Sequence, residues 1–227
     1  MFTLNMFKIS QADRNKFCEH IIDTSSPNGE FTFLVILSTL IVALGLIKDY
    51  VVLVIGGMLV TPLLSPILAL SLGIIIQEPK VIKRSLKILL ISFFLAFFVS
   101  FLIGSFSDFN IEKIQLINLM QPTFYTFFVA LVAGTAASYT WAKPNLAGSL
   151  PGVAIAVTLI PPLTAMGLAL ASRNFLIFKT VLSTLFLNVI GIIFASIIIF
   201  SLMHFHKAKK KLVAEIKEEE EEMKNNK

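Results

Sequence analysis

A chain of 227 residues that is 56% hydrophobic and only 15% charged, with a mean hydropathy of +0.84, is not an ordinary water-soluble domain. Its net charge of +5 sits in short basic clusters beside apolar runs, which argues against a nucleic-acid footprint and for membrane orientation. The single cysteine, Cys18, excludes an intramolecular disulfide and any cysteine-based metal cluster.

Residues 1–30 are polar and charged and lack the apolar core of a cleavable signal peptide. Within them, residues 10–23 predict a short amphipathic helix. Ser10 is placed to cap it, with Asp13 three residues on, and Phe17, Ile21 and Ile22 form its apolar side. The helix then either lies on or docks under a membrane bundle or serves as a plain lead-in. Thr24, Ser25, Ser26, Pro27, Asn28 and Gly29 break it.

Six apolar runs follow, each long enough for a bilayer core of about 30 Å. They are Phe31–Ile47, Tyr50–Ile76, Leu86–Phe106, Phe124–Trp141, Leu146–Ala171 and Phe175–His204. The second is interrupted at Thr61, Pro62, Ser65 and Pro66, the fifth at Thr158, Pro161 and Pro162. Proline removes a backbone donor and clashes with the preceding turn, so both runs are expected to be broken helices. Ser65 is expected to cap a half-helix beginning at Pro66, and Pro162 to begin its counterpart.

A shift of 96 residues maps Gly56 onto Gly152, Pro66 onto Pro162 and Ser92 onto Asn188. Each half holds three crossings, an odd number, so the second half enters from the opposite side. The fold expected is therefore all-α: a polytopic membrane bundle of six helices in two inverted three-helix repeats, with broken second and fifth helices. The halves are residues 31–107 and 122–204 of a transmembrane domain over 31–204. An N-terminal segment, 1–30, precedes it and a charged tail, 205–227, follows. Lys8, Arg14, Lys16, Lys80, Lys83, Arg84, Lys87 and Lys143 then share the side of both termini. That side is expected to be cytoplasmic. Lys207, Lys209, Lys210 and Lys211 join them, and are expected either to anchor the last helix or to hold anionic lipid head groups.

No enzyme signature is present, and neither a cofactor nor a metal is expected. His204 and His206, two apart, point to different helix faces. The carboxylates Asp49, Glu78, Asp108 and Glu112 fall at span ends or in loops, which argues against a carboxylate proton relay. What remains for a site is neutral: Gly56, Thr61, Pro62, Ser65, Pro66, Ser92, Gly152, Thr158, Pro161, Pro162 and Asn188. Broken helices present backbone dipoles to a ligand, whereas a packed kink or an interhelical hydrogen bond of Asn188 serves structure alone.

Two stretches, Val54–Leu68 and Leu150–Leu163, together with Leu187–Ile190, resemble the core of a prokaryotic family of hydrophobic membrane proteins known as domain of unknown function 389. The resemblance spans roughly residues 10–204. It implies a prokaryotic inner-membrane protein and assigns no substrate. Two readings follow. One is a small-solute or ion carrier, or a channel-like protein, with a midplane site at the paired breaks. The other is a non-transporting scaffold, sensor or lipid-binding component. Expected partners are the lipid bilayer, a small solute or ion, and a second copy in a homo-oligomer. Nucleic acid is not among them.

Overall fold

The computed structural model describes residues 9–25, 28–143 and 151–205, with the side chains of residues 12, 19, 22, 23 and 151–158 outside the description. Every regular element among these residues is helical. In chain order they are α1 (Gln11–Thr24), α2 (Gly29–Ile47), α3 (Val51–Val60), α4 (Leu64–Ile75), α5 (Pro79–Phe106), a 3₁₀ turn (Ile111–Lys113), α6 (Gln115–Asn118), α7 (Phe124–Trp141), α8 (Pro151–Ala171) and α9 (Phe175–Leu202). By length and composition α2, α5 and α9 can each cross a membrane, and the bent pair α3–α4 makes a fourth if it is one span. The chain thus has the build of a membrane-embedded helix bundle. α7 has 18 residues and carries Thr126, Thr135, Ser138 and Thr140, hydroxyl side chains that dilute its apolar character.

Helix ends explain much of this layout. Ser10 caps α1 as expected: its Oγ accepts the Asp13 N–H at 3.0 Å and donates to Asp13 Oδ2 at 2.7 Å. Asn28, Thr123 and Asn174 cap α2, α7 and α9 through their side-chain oxygens. At the other ends, Asp49, Gln77 and Arg173 take left-handed φ values of 53°, 53° and 55°. Each closes a Schellman turn, in which the next N–H reaches back to a helix carbonyl: Tyr50 to Gly45 at 2.8 Å, Glu78 to Gly73 at 3.1 Å, Asn174 to Ala169 at 3.0 Å. The turn at Gln77 and the turn at Arg173 lie 96 residues apart, as do the first and the last residues of α5 and α9, both 28 residues long.

Two ends of the bundle can be told apart. At one, the Asp49 carboxylate accepts the backbone N–H groups of Gln115 (3.1 Å) and Leu116 (2.9 Å). Asn174 Nδ2 donates there to Glu112 at 3.0 Å. At the other, Phe17 of α1 packs edge-on against Phe200 and Phe205, and His20 lies 5.2 Å from Trp141. Phe17, Cys18 and Ile21 are buried, and α1 packs on α4. The N-terminal helix therefore docks under the bundle and is no plain lead-in. Burying Cys18 completely also removes it as a simple topology probe.

Small residues let the helices approach, as in membranes generally. Gly57 faces Ser38 and Val42 across α2–α3, Gly134 faces Ile192 and Ala195 across α7–α9, and Gly167 faces Phe97 and Phe101 across α5–α8. Helix α8 is the hub, packing against α2, α3, α4, α5, α7 and α9. Its residues from Leu159 to Ala169 are buried on every side, which fits an all-round apolar helix.

The two expected breaks differ. Residues 61–63 do interrupt the second run, with a bend of 54° between α3 and α4. Helix α4, however, begins at Leu64, so Ser65 lies inside its first turn and caps nothing. Pro66 is tolerated there because first-turn N–H groups have no helical acceptor anyway. The fifth run is not broken: α8 continues through Pro161 and Pro162, and no half-helix starts at Pro162. Burial of residues 159–169 on all sides keeps this stretch helical, although the carbonyls four residues before the prolines lose their helical donors. Helix α5 also begins seven residues before the expected span, because Pro79 at its first turn starts it ahead of the basic cluster.

Candidate functional site

A cleft of about 210 Å³ opens beside the Pro161–Pro162 pair. One wall is α9, which contributes Thr184 and Asn188; these stand four apart and so share a helix face. The opposite wall is the start of α7, with Tyr125, Thr126 and Val129, and the rim is Leu119 and Met120. Thr184 Oγ1 donates to the Met120 carbonyl at 3.0 Å, which ties the rim to α9. Thr126 Oγ1 donates to the Gln121 carbonyl at 2.7 Å and lies 2.9 Å from Thr123 Oγ1, so the rim is tied to α7 as well.

Asn188 is only 3% exposed and stands halfway along α9. A primary amide in so apolar a bundle offers one strong acceptor and two donors. With Thr126, Thr184 and the Tyr125 hydroxyl it makes a neutral, hydrogen-bonding lining. A volume near 210 Å³ holds about seven waters, or one small solute of that size.

Of the residues expected at the site, the cleft gathers Pro161, Pro162 and Asn188. The others lie elsewhere. Gly56 sits on an exposed face with open space where a side chain would be. Thr61 and Pro62 form the α3–α4 bend, where Thr61 Oγ1 accepts from Ser38 Oγ at 3.3 Å. Ser65 and Pro66 are buried in α4. Ser92 is buried in α5 and donates to its own helix at Ile88, 2.8 Å away. It does not face Asn188, since α5 packs on α2, α4 and α8 while α9 packs on α4, α7 and α8. Gly152, Thr158 and the lysines 207 and 209–211 fall outside the described side chains. Tyr125, Thr126, Thr184 and Met120 were not expected; of these only Thr184 carried a signal in the sequence, its four-residue spacing from Asn188.

A second, polar hollow lies at the end away from α1, lined by Asp108, Asn110, Glu112, Ser172 and Asn174. It belongs to the turns that join the helices there.

Residues 58–194 match the family described as a domain of unknown function, number 389. The chain belongs to that family. The matched segment of this domain of unknown function 389 protein contains the cleft's Pro161, Pro162, Thr184 and Asn188, and most of the α3–α4 bend. An uncharacterized protein of Methanocaldococcus jannaschii is similar to it, 31% identical over 179 residues. That alignment covers 79% of this chain and 56% of the relative, so the chain spans just over half the length of the curated protein it matches. No solved structure matches it.

Proposed function

We propose that this family member is a six-crossing inner-membrane protein built as an inverted repeat, and that it carries a small solute or ion through the cleft at Pro161, Pro162 and Asn188. The cleft carries this reading: a neutral, mostly apolar pocket with a few hydrogen-bonding side chains, beside two helix-interior prolines and reaching Asn188 halfway along α9. Support for the repeat comes from α5 and α9, equal in length, 96 residues apart and following the same Schellman turn. They run in opposite directions, since α5 ends near Ala171 and α9 ends at α1. The gathering of turns 48–50, 111–116 and 172–174 at one end, and of α1, Trp141 and Phe205 at the other, fits six crossings with both termini on the α1 side. Lys80, Lys83, Arg84, Lys87 and Lys143 favour a cytoplasmic α1 side. We take the protein to be no enzyme.

The test is flux in proteoliposomes, screened over neutral polar solutes, small anions and small cations, with Asn188→Leu beside the parent. An interhelical hydrogen bond in a membrane contributes about 1 kcal/mol, so the variant should fold and lose flux. Flux equal to that of empty liposomes for every solute would favour the scaffold reading, which the uncharged helix interiors also suit. Retained flux in Asn188→Leu would remove the cleft from the pathway.

A further inference from the structure

The first two turns of α5 carry Lys80, Lys83, Arg84 and Lys87. The spacing of three, four and seven puts all four on one stripe of the helix. Lys80, Lys83 and Lys87 are exposed. Further along the same helix the exposed side chains are Leu90, Ile91, Phe94, Phe98, Leu102 and Phe106. From Lys87 to Phe106 the helix rises about 29 Å, the thickness of a bilayer's hydrocarbon core at about 30 Å. The outer face of α5 therefore matches the membrane interior from Lys87 onward, and the cationic stripe falls at the depth of lipid phosphates. The companion helix shows that this chemistry is not a requirement of the architecture. Helix α9 has the same length and the same start, yet its corresponding positions are Leu176, Lys179, Thr180 and Ser183. At these matched positions α5 carries four cations and α9 one, while the turns beside the start of α9 add Lys48, Lys113 and Arg173 spread over three segments.

We propose that this stripe is a binding site for anionic phospholipid in the leaflet on the α1 side. Three flexible ammonium groups and a guanidinium at phosphate depth can hold one or two phosphodiester head groups, while the acyl chains lie along Leu90, Phe94 and Phe98. This rests on membrane embedding alone and holds whether or not the cleft carries a solute.

The experiment is lipid titration of the purified full-length protein in detergent, read by native mass spectrometry, with phosphatidylglycerol against phosphatidylcholine. Each lysine at such a surface is worth roughly fivefold in affinity, so Lys80→Gln/Lys83→Gln/Lys87→Gln should weaken phosphatidylglycerol binding by more than about tenfold. Phosphatidylcholine binding should not change, and Lys179→Gln should leave both lipids as in the parent. The unaltered protein gives a second reading that needs no variant: its preference for phosphatidylglycerol should fade between about 0.05 and 0.5 M salt. Equal retention of the two lipids, unchanged phosphatidylglycerol binding in the triple variant, or a preference indifferent to salt would each overturn the proposal.

Discussion

Gly167 gives the sharpest test of how α8 is held. A Cβ built there falls on the Ser100 hydroxyl, and lies 2.6 Å from the Phe97 carbonyl oxygen and 2.7 Å from the Phe101 nitrogen. Ser100 can turn its hydroxyl away, at the loss of its 2.9 Å bond to the Phe97 carbonyl. The backbone atoms of α5 cannot turn. Restoring an ordinary carbon–oxygen approach of about 3.3 Å requires the two helices to part by roughly 0.7 Å. Overpacking of this kind costs about 1–3 kcal/mol, and a clash with backbone belongs at the upper end. At about 2–4 °C per kcal/mol for a chain of this size, Gly167→Ala should melt about 6–12 °C below the parent. Gly56→Ala is the companion, because nothing lies within 4 Å of its Cβ and alanine is the better helix former by about 1 kcal/mol. It should melt at or above the parent. Cys18 is fully buried and is the only cysteine, so a thiol-reactive dye in detergent reports the unfolding of each variant. A Gly167→Ala protein melting within about 1 °C of the parent would refute the close α5–α8 contact and the packing account of why α8 stays unbroken.

Asp49→Ala removes the carboxylate that receives the Gln115 and Leu116 N–H groups, and should lower the melting temperature by about 2–6 °C, in line with a lost cap of about 1–1.5 kcal/mol. Asp49→Asn keeps one acceptor and should lose about half of that; equal melting of all three proteins would mean the contact holds nothing. Arg173→Gly relieves a left-handed residue at φ 55° and should raise the melting temperature by about 2–4 °C, read in the same dye assay. A lower value would show that the Arg173 side chain contributes more than its backbone costs.

The helices were legible because their signals are local. The apolar runs, the Ser10–Asp13 cap and the proline-rich break at 61–63 all depend on residues near each other in sequence. The 96-residue shift was visible in Gly56, Pro66 and Ser92, and returns in the limits of α5 and α9. What the sequence hid depends on neighbours. Pro161 and Pro162 carry the same intrinsic cost as Pro62, yet α8 packs against six helices and stays one continuous helix, whereas the run through Pro62 divides into α3 and α4. The cleft was legible in Pro161, Pro162 and Asn188. Its Met120 enters through a loop whose folded-back path no periodicity describes, and Thr126 reaches it from the first turn of α7. The α5 start was misplaced because charge masks a helix when only average hydropathy is followed.

The seat of α1 bears on how the protein is made. Phe17 closes against Phe200 and Phe205, so α1 rests on side chains that are synthesised long after it. Until α9 has been threaded into place, α1 has only part of its binding surface, and its apolar side stays open to the translation machinery and to chaperones. Docking of α1 is then complete only after α9 is in place, and it ties α1 to the C-terminal end of α9 at one end of the bundle. A chain interrupted before residue 200 would lack the ring contacts that seat Phe17, the neighbour of the fully buried Cys18.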